Sequence, residues 1–332
     1  MVQASTTEIK IPSLHQIGIV VEDVDKTAHD YRSSLDIGPW DILTLRPPDV
    51  SNLTYRGKPA YFEFKRALAQ AGPVEIELSE TLKGHTHYMD FMAEHGEGAH
   101  HLQYLVDSVD VMDKHIEIMT EKGFHSLMGG RRDNGGFEYL DTVSALKTVW
   151  EIAKMPDKPS TSAIQYPLND AETSPTKVKV GAIMRVGIVV ENLEEVMENY
   201  WTVVGIGPWE VFELVPPVLH GQTYCGKPSD FTMRLALAMA GLVQIELVQP
   251  LAGNNVYSDF LAEHGEGLHH IQFTVNAIDE TAEIMNRAGF TTLMSWRVGD
   301  AGFAYYDTAE RLKCIWGAYE VGAPLSPVNR YP

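Results

Sequence analysis

The chain repeats itself. GIVVE at Gly18–Glu22 recurs at Gly187–Glu191, a shift of 169 residues. At the same shift IGPW (Ile37–Trp40) recurs at Ile206–Trp209, and GKP at Gly57 recurs at Gly226. ALAQAGPVEIEL from Ala67 matches ALAMAGLVQIEL from Ala236. AEHGEGAHHLQY from Ala93 matches AEHGEGLHHIQF from Ala262 at nine of twelve positions. Past a three-residue deletion in the second helix the shift falls to 166, pairing GFHSLM (Gly123) with GFTTLM (Gly289) and Trp150 with Trp316. A repeat of this length sets the fold before any local propensity does. Residues 10–158 and 180–322 are two copies of one lobe, between a tail over 1–9 and a tail over 323–332. The stretch between them, 156–178, is rich in Pro, Ser and Thr and lacks an apolar period. It reads as a linker, with 159–179 outside both lobes.

Each lobe holds a weaker repeat of its own. HQIGIVV (His15–Val21) is a β-branched run and predicts a strand. Val24, Ala28, Tyr31 and Leu35 follow at helical spacing, stopping at Gly38-Pro39. Strand-like pieces come at 40–45, 60–68 and 74–78. The pattern restarts at HHLQYLV (His100–Val106), continues with a helix through Met112, Ile116 and Met119, and closes with strands near 124–128, 137–140 and 148–152. Each lobe therefore reads β-α-β-β-β twice, four modules in all. Three strands after each helix do not make a doubly wound parallel sheet. The expected class is α+β, with curved, mixed sheets and helices outside.

Composition narrows the partners. The net charge is −19, and an acidic surface repels nucleic acid and anionic membranes alike. No run of about 18 apolar residues is present, and MVQASTTEIK lacks the apolar core of a signal peptide. The two cysteines, Cys225 and Cys314, form neither a disulfide framework nor a CxxC metal motif. A cytoplasmic protein acting on a small molecule is the expectation. The lobes can pack within the chain or be exchanged across a homodimer, and the sequence leaves both open.

The paired βαβββ modules, the xIGIVVxD-type first strand, the GEGxHH lead-in and a last strand carrying Glu resemble the vicinal oxygen chelate superfamily, which includes glyoxalase I, methylmalonyl-CoA epimerase and the extradiol dioxygenases. HGEGAHHLQYLVDSVD is similar to the epimerase-type approach to the fifth strand. The resemblance covers both lobes and implies a divalent-metal site in the trough of a lobe, with one ligand from the first and last strand of each module. On this chain those positions are Gln16, Glu77, His101 and Glu151. One imidazole, two carboxylates and an amide oxygen suit Zn²⁺ first, with Ni²⁺, Co²⁺, Mn²⁺ or Fe²⁺ as alternatives. His15 would replace Gln16 if the strand slipped by one residue, because side chains alternate faces. By the same alternation His100 is expected to pack outward.

The matching positions of the second lobe are Arg185, Glu246, His270 and Gly317. Neither Arg nor Gly offers a side-chain ligand, so the second site reads as degenerate, with Arg185 and His270 available to bind substrate. Tyr139, two residues before a DT turn, is implied to face the trough, and Arg131 is a further substrate-binding candidate. Glu151 and Glu77 are the candidate bases. The implied chemistry is proton abstraction next to a carbonyl by an isomerase, epimerase or lyase. The alternatives are extradiol-type ring cleavage, which wants two His and one carboxylate on Fe(II), and a non-catalytic small-molecule binder.

Overall fold

A computed structural model describes residues 7–157, 163–166, 178, 180 and 182–332. Lobe one runs β1 (Gln16–Val20), α1 (Val24–Leu35), β2 (Trp40–Leu45), β3 (Ser51–Tyr55), β4 (Lys58–Pro59), β5 (Phe62–Ala71), β6 (Val74–Gly84), α2 (His87–His95), β7 (Gly98–Leu105), α3 (Val109–Glu121), β8 (Ser126–Arg132), β9 (Gly135–Leu140), α4 (Val143–Leu146), β10 (Val149–Lys154) and β11 (Ile164–Tyr166). Lobe two repeats it with β12 (Ile183–Val189), α5 (Leu193–Asn199), β13 (Trp209–Leu214), β14 (Leu219–Tyr224), β15 (Lys227–Pro228), β16 (Thr232–Ala240), β17 (Val243–Ala252), α6 (Val256–His264), β18 (Gly267–Val275), α7 (Ile278–Arg287), β19 (Thr292–Val298), β20 (Ala301–Tyr306), α8 (Ala309–Leu312), β21 (Ile315–Glu320) and β22 (Asn329–Tyr331). A π-helical turn (Tyr200–Val204) extends α5. No helix among the described residues is long and apolar enough to cross a membrane.

Each lobe is one 11-stranded sheet; the first has the order β11-β2-β5-β6-β1-β7-β10-β9-β8-β3-β4. The two βαβββ modules of a lobe meet where β1 pairs antiparallel with β7, while β1 and β6, and β7 and β10, run parallel. The sheet is therefore mixed, and the α+β class with four modules is what the chain adopts. The expected pattern lacked the β3–β4 hairpin and α2. Each sheet is built from strands of its own half of the chain. The segment read as a linker contributes β11 to the edge of β2, and the C-terminal stretch contributes β22 to β13. At the other end Ile9 is fully buried and Ile11 donates its backbone N–H to Val204 of lobe two.

Strand alternation sorts the side chains into two faces. Ile17, Ile19, Ile76, Leu78, Leu102, Trp150 and Ile152 face the helices, in a core that runs continuously from one lobe to the other. Burial of this size is the main stabilising term. α1 joins it through Val24, Ala28, Tyr31 and Leu35, starts on the Asp23 side chain and stops at Asp36 in the left-handed region. Two pseudo-symmetric hydrogen bonds tie the lobes: the Tyr31 hydroxyl donates to the Leu312 carbonyl at 2.7 Å, and the Tyr200 hydroxyl to the Leu146 carbonyl at 2.9 Å. On the other face Gln16, Gly18, Glu77, His101, Gln103, Val149 and Glu151 share the trough with Phe64, Tyr88 and Tyr139.

Candidate metal centre

Four strands of the trough bring the expected residues together. Gly18 of β1 is paired with Glu77 on one side and His101 on the other, and His101 is paired with Val149. One step along, Gln103 is paired with both Gln16 and Glu151. Gly18 is essential to this geometry. A Cβ there would lie 1.8 Å from the His101 Cε1, so the imidazole occupies the space a side chain would fill. The same holds for Gly187 and His270, at 1.9 Å.

Glu77, His101 and Glu151 are 1%, 0% and 2% exposed, and one ligand atom from each lies within 4.8 Å of the others. The His101 Nε2 is 3.2 Å from Glu151 Oε2. The Ser79 hydroxyl donates to Glu77 Oε1, but Glu77 Oε2 and His101 Nε2 have no hydrogen-bond partner among the described residues. Burial, with the Glu151 charge adding to it, holds the Glu77 pKa above the usual carboxylate range although Arg66 opposes. Two buried carboxylates beside an imidazole, with orphaned lone pairs converging, are costly without a cation. The donor set fits a divalent metal through N and O ligands.

Gln16 lies on the trough face and His15 is half-buried one position before it. Gln16 is not among the converging groups. Its Oε1 accepts from Gln103 Nε2 at 3.0 Å, and its Nε2 donates to Glu75 at 2.6 Å. Gln103, not anticipated from the sequence, bridges Gln16 and Glu151, donating to Glu151 Oε2 at 2.8 Å. The signal was available: the HHxQ run recurs as Gln272 in lobe two. Tyr139 does reach the trough. Its ring lies edge-on to His101, centroids 4.9 Å apart, and its hydroxyl shares a hydrogen bond with Tyr88 of α2 at 2.7 Å. Burial pushes both phenols well above their ordinary pKa, so they stay protonated.

Two expectations are corrected. Arg131 sits on the helix side of β8, because Met128 and Tyr139 take the trough side; it pairs with Asp113 of α3 at 2.7 Å and does not join the cluster. His100 does not pack outward. A bulge in the β1–β7 pairing, where Gly18 meets His101 but Ile19 meets Ala99, turns His100 inward to 3% exposure. Its Nδ1 lies 3.0 Å from His101 Nδ1.

Lobe two carries the same frame with different chemistry. Arg185 replaces Gln16, and its guanidinium donates to Glu246 at 3.3 Å and to Gln244 at 2.8 Å while lying over the Tyr319 ring. Arg185 is thereby engaged within its own lobe. Burial alone would raise the Glu246 pKa, but Arg185 and His270 more than offset it and the pKa is lowered. Gly317 replaces Glu151, and Tyr305 fills the vacated space: its Cε1 would lie 2.6 Å from a Cβ at 317. The Tyr305 hydroxyl is 3.0 Å from His270 Nε2. Lobe two thus supplies its own counter-charge.

A family model described as glyoxalase/bleomycin resistance protein/dioxygenase superfamily matches residues 15–139 and 184–306, one match per lobe. The chain belongs to this superfamily. Among solved structures, a mutant 4-hydroxymandelate synthase from Streptomyces coelicolor is similar over 95% of both chains, with 14% identity and a TM-score of 0.59. A xylose isomerase-like TIM barrel/4-hydroxyphenylpyruvate dioxygenase fusion protein is similar over 98% of this chain and 51% of its own, with 11% identity and a TM-score of 0.53. At these identities the likeness is one of fold. A curated relative, the uncharacterized protein YqjC of Bacillus subtilis (strain 168), is 28% identical over 101 residues, 30% of this chain and 62% of that relative's length. Among the described residues, two converging carboxylates and an imidazole occur in lobe one and not in lobe two.

Proposed function

We propose that lobe one is a divalent-metal-dependent isomerase, epimerase or lyase that removes a proton next to the carbonyl of a small oxygenated metabolite. The observation that carries it is the buried Glu77–His101–Glu151 cluster, whose orphaned atoms converge. These three residues would hold the metal, with Gln16 as a fourth oxygen donor if its amide turns from Gln103. Zn²⁺ is the first candidate, and Ni²⁺, Co²⁺, Mn²⁺ or Fe²⁺ suit the same donors. A bound divalent cation supplies Lewis-acid stabilisation to an oxyanion on the substrate.

The chain's own groups do the rest. Glu151, and Glu77 as the alternative, accept the proton; a carboxylate shielded from water is a better base than one in bulk solvent. Gln103 orients Glu151 by donating to Oε2, leaving Oε1 for proton transfer. Tyr139, held protonated, donates a hydrogen bond to a substrate oxygen. Phe64 and Tyr88 pack beside the trough as apolar wall.

A second reading is a ring-cleaving dioxygenase, supported by the dioxygenases that share the superfamily and its two-lobed fold. Weighing against it is the ligand count, one imidazole where such iron sites use two. Elemental analysis of purified protein, beside His101→Ala and Glu151→Gln, tests both readings. The expected result is about one metal per chain, lost in both variants with turnover of a carbonyl substrate. Unchanged metal content in both variants would sink the proposal. Oxygen-dependent ring cleavage of a catechol by iron-loaded protein would move the assignment to the second reading.

A further inference from the structure

A cleft of 1090 Å³ lies between the lobes, and neither Glu77, His101 nor Glu151 lines it. It lies just above the usual range of small-molecule site volumes, about 300–1,000 Å³. The duplication builds it twice over: Phe91, His95 and His100 from lobe one match Phe260, His264 and His269 from lobe two. Two ion pairs that cross between the lobes also line it, Lys147–Glu266 and Lys313–Glu97, both 2.6 Å.

Its chemistry is specific. Leu127, Val149, Leu268, Leu293 and the two Phe rings supply apolar wall. Both lining lysines are engaged by the crossing pairs, and Arg56 by Asp90. Glu94, Asp141, Asp259 and Glu263 have no lysine or arginine partner among the described residues, so the cleft repels anions.

His100 adds a directional group. It is 3% exposed, and its Nε2 has no hydrogen-bond partner among the described residues. Its Nδ1 and the His101 Nδ1 share one hydrogen bond at 3.0 Å, so one of them donates. If His101 keeps its Nε2 lone pair for a metal, its proton sits on Nδ1 and is donated to His100. The His100 proton is then on Nε2, a buried donor without an acceptor. This tautomer step rests on His101 as a metal ligand; the cleft, its walls and its charge do not.

We propose that the cleft is a second binding site, for an uncharged aromatic compound bearing an oxygen acceptor, its rings between Phe91 and Phe260 and its oxygen on the Nε2–H of His100. The site joins the two lobes' equivalent surfaces and leaves the metal trough free. A ligand seated there touches His100, which touches His101, so occupancy and metal binding share one hydrogen-bonded pair.

The test uses Nile red, a neutral polycycle with a carbonyl oxygen, titrated into the full chain with EDTA and with Zn²⁺. One saturable equivalent with blue-shifted emission is expected. Leu293→Trp and Val143→Trp, which fill the cleft from opposite lobes, should each weaken binding at least about tenfold. His100→Phe keeps the ring and loses the donor, and should weaken it by about tenfold. The anionic dye ANS should bind at least about tenfold more weakly than Nile red. Nile red affinity unchanged in folded Trp variants, or ANS binding as tightly, overturns the proposal. If circular dichroism shows that a Trp variant has not folded, the dye comparison on wild type and His100→Phe decide. Protein that binds Nile red but never metal refutes the metal reading and, with it, the proton placed on His100 Nε2, while the cleft site stands. Protein that binds metal but not Nile red refutes the cleft alone.

Discussion

The two lobes bury the same carboxylate in opposite electrostatic surroundings, and equivalent substitutions should therefore have unequal costs. Consider Glu246→Gln. The substitution leaves Arg185 buried, its side chain 8% exposed, with no carboxylate 3.3 Å away. The gross attraction at that distance is about 5 kcal/mol at an effective dielectric near 20. Removing one partner of a buried pair costs about 3–5 kcal/mol. The glutamine still accepts from Arg185 and Gln244 still binds it, so the lower end, about 3 kcal/mol, is expected. For a lobe of this size that lowers the melting temperature by about 6–12 °C. Glu77→Gln in EDTA removes a carboxylate that burial already disfavours, and should change stability by less than about 1 kcal/mol in either direction. With metal present Glu77→Gln should lose the metal-induced rise in melting temperature, while Glu246→Gln keeps it. Thermal melts of both variants, with EDTA and with Zn²⁺, give the comparison. An equal, large loss for Glu77→Gln in EDTA would refute the reasoning, because it would mean that Arg66 offsets the burial of Glu77 as fully as Arg185 offsets that of Glu246.

Gly18→Ala puts a methyl group on the His101 ring and should cost about 3 kcal/mol together with at least a hundredfold loss of metal affinity, whereas Gly187→Ala should cost the same stability and leave metal binding unchanged; calorimetry and metal competition separate the two. The Glu246 pKa is lowered in the folded chain, so its contribution to stability is present above the unfolded carboxylate pKa and is lost as pH falls through the folded one; Glu246→Gln should flatten the acid limb of a stability-against-pH curve. Arg185→Gln combined with Gly317→Glu restores the missing donors beside Glu246 and His270, and should raise metal content from about one to about two per chain. Stoichiometry that stays at one in a folded double variant would show that Tyr305 cannot retreat to the position Tyr139 takes beside Glu151.

The fold was legible because two periods were superimposed, the long one of the duplication and the short ones of strand and helix. What stayed hidden lacked either period. In α2 only Tyr88 is buried, so no apolar stripe marks it. In the β3–β4 hairpin only Leu53 is buried, and the chain turns on Arg56-Gly57. β11 is three residues inside a Pro- and Ser-rich stretch. For the site, Glu77 and Glu151 were legible as carboxylates in mainly apolar strands, while His101 was placed by the family resemblance and by its symmetric match with Gln16. Strict alternation failed at His100, because one extra residue in β7 reverses which way it points, and a bulge leaves no mark in composition. Arg131 failed differently: its match with Arg297 is real, but the shared role is to hold a helix, through Asp113 in one lobe and Asp279 in the other.

The same comparison explains why a degenerate lobe keeps Glu246 and His270. A buried carboxylate beside an imidazole must be balanced by positive charge from somewhere. Lobe two balances it from its own sequence: Arg185 enters from the first strand and Tyr305 takes the volume left by the missing fourth-strand Glu. Once that is done, removing Glu246 strands the arginine, so Glu246 stabilises the folded lobe. In lobe one the matching position is the neutral Gln16, and Arg66 lowers the Glu77 pKa without outweighing burial and the Glu151 charge, so Glu77 is left only partly balanced. Two differences, Arg185 for Gln16 on the first strand and Gly317 for Glu151 on the last, thus separate a lobe whose buried carboxylate is balanced from within from one that offers two carboxylates and an imidazole to a cation.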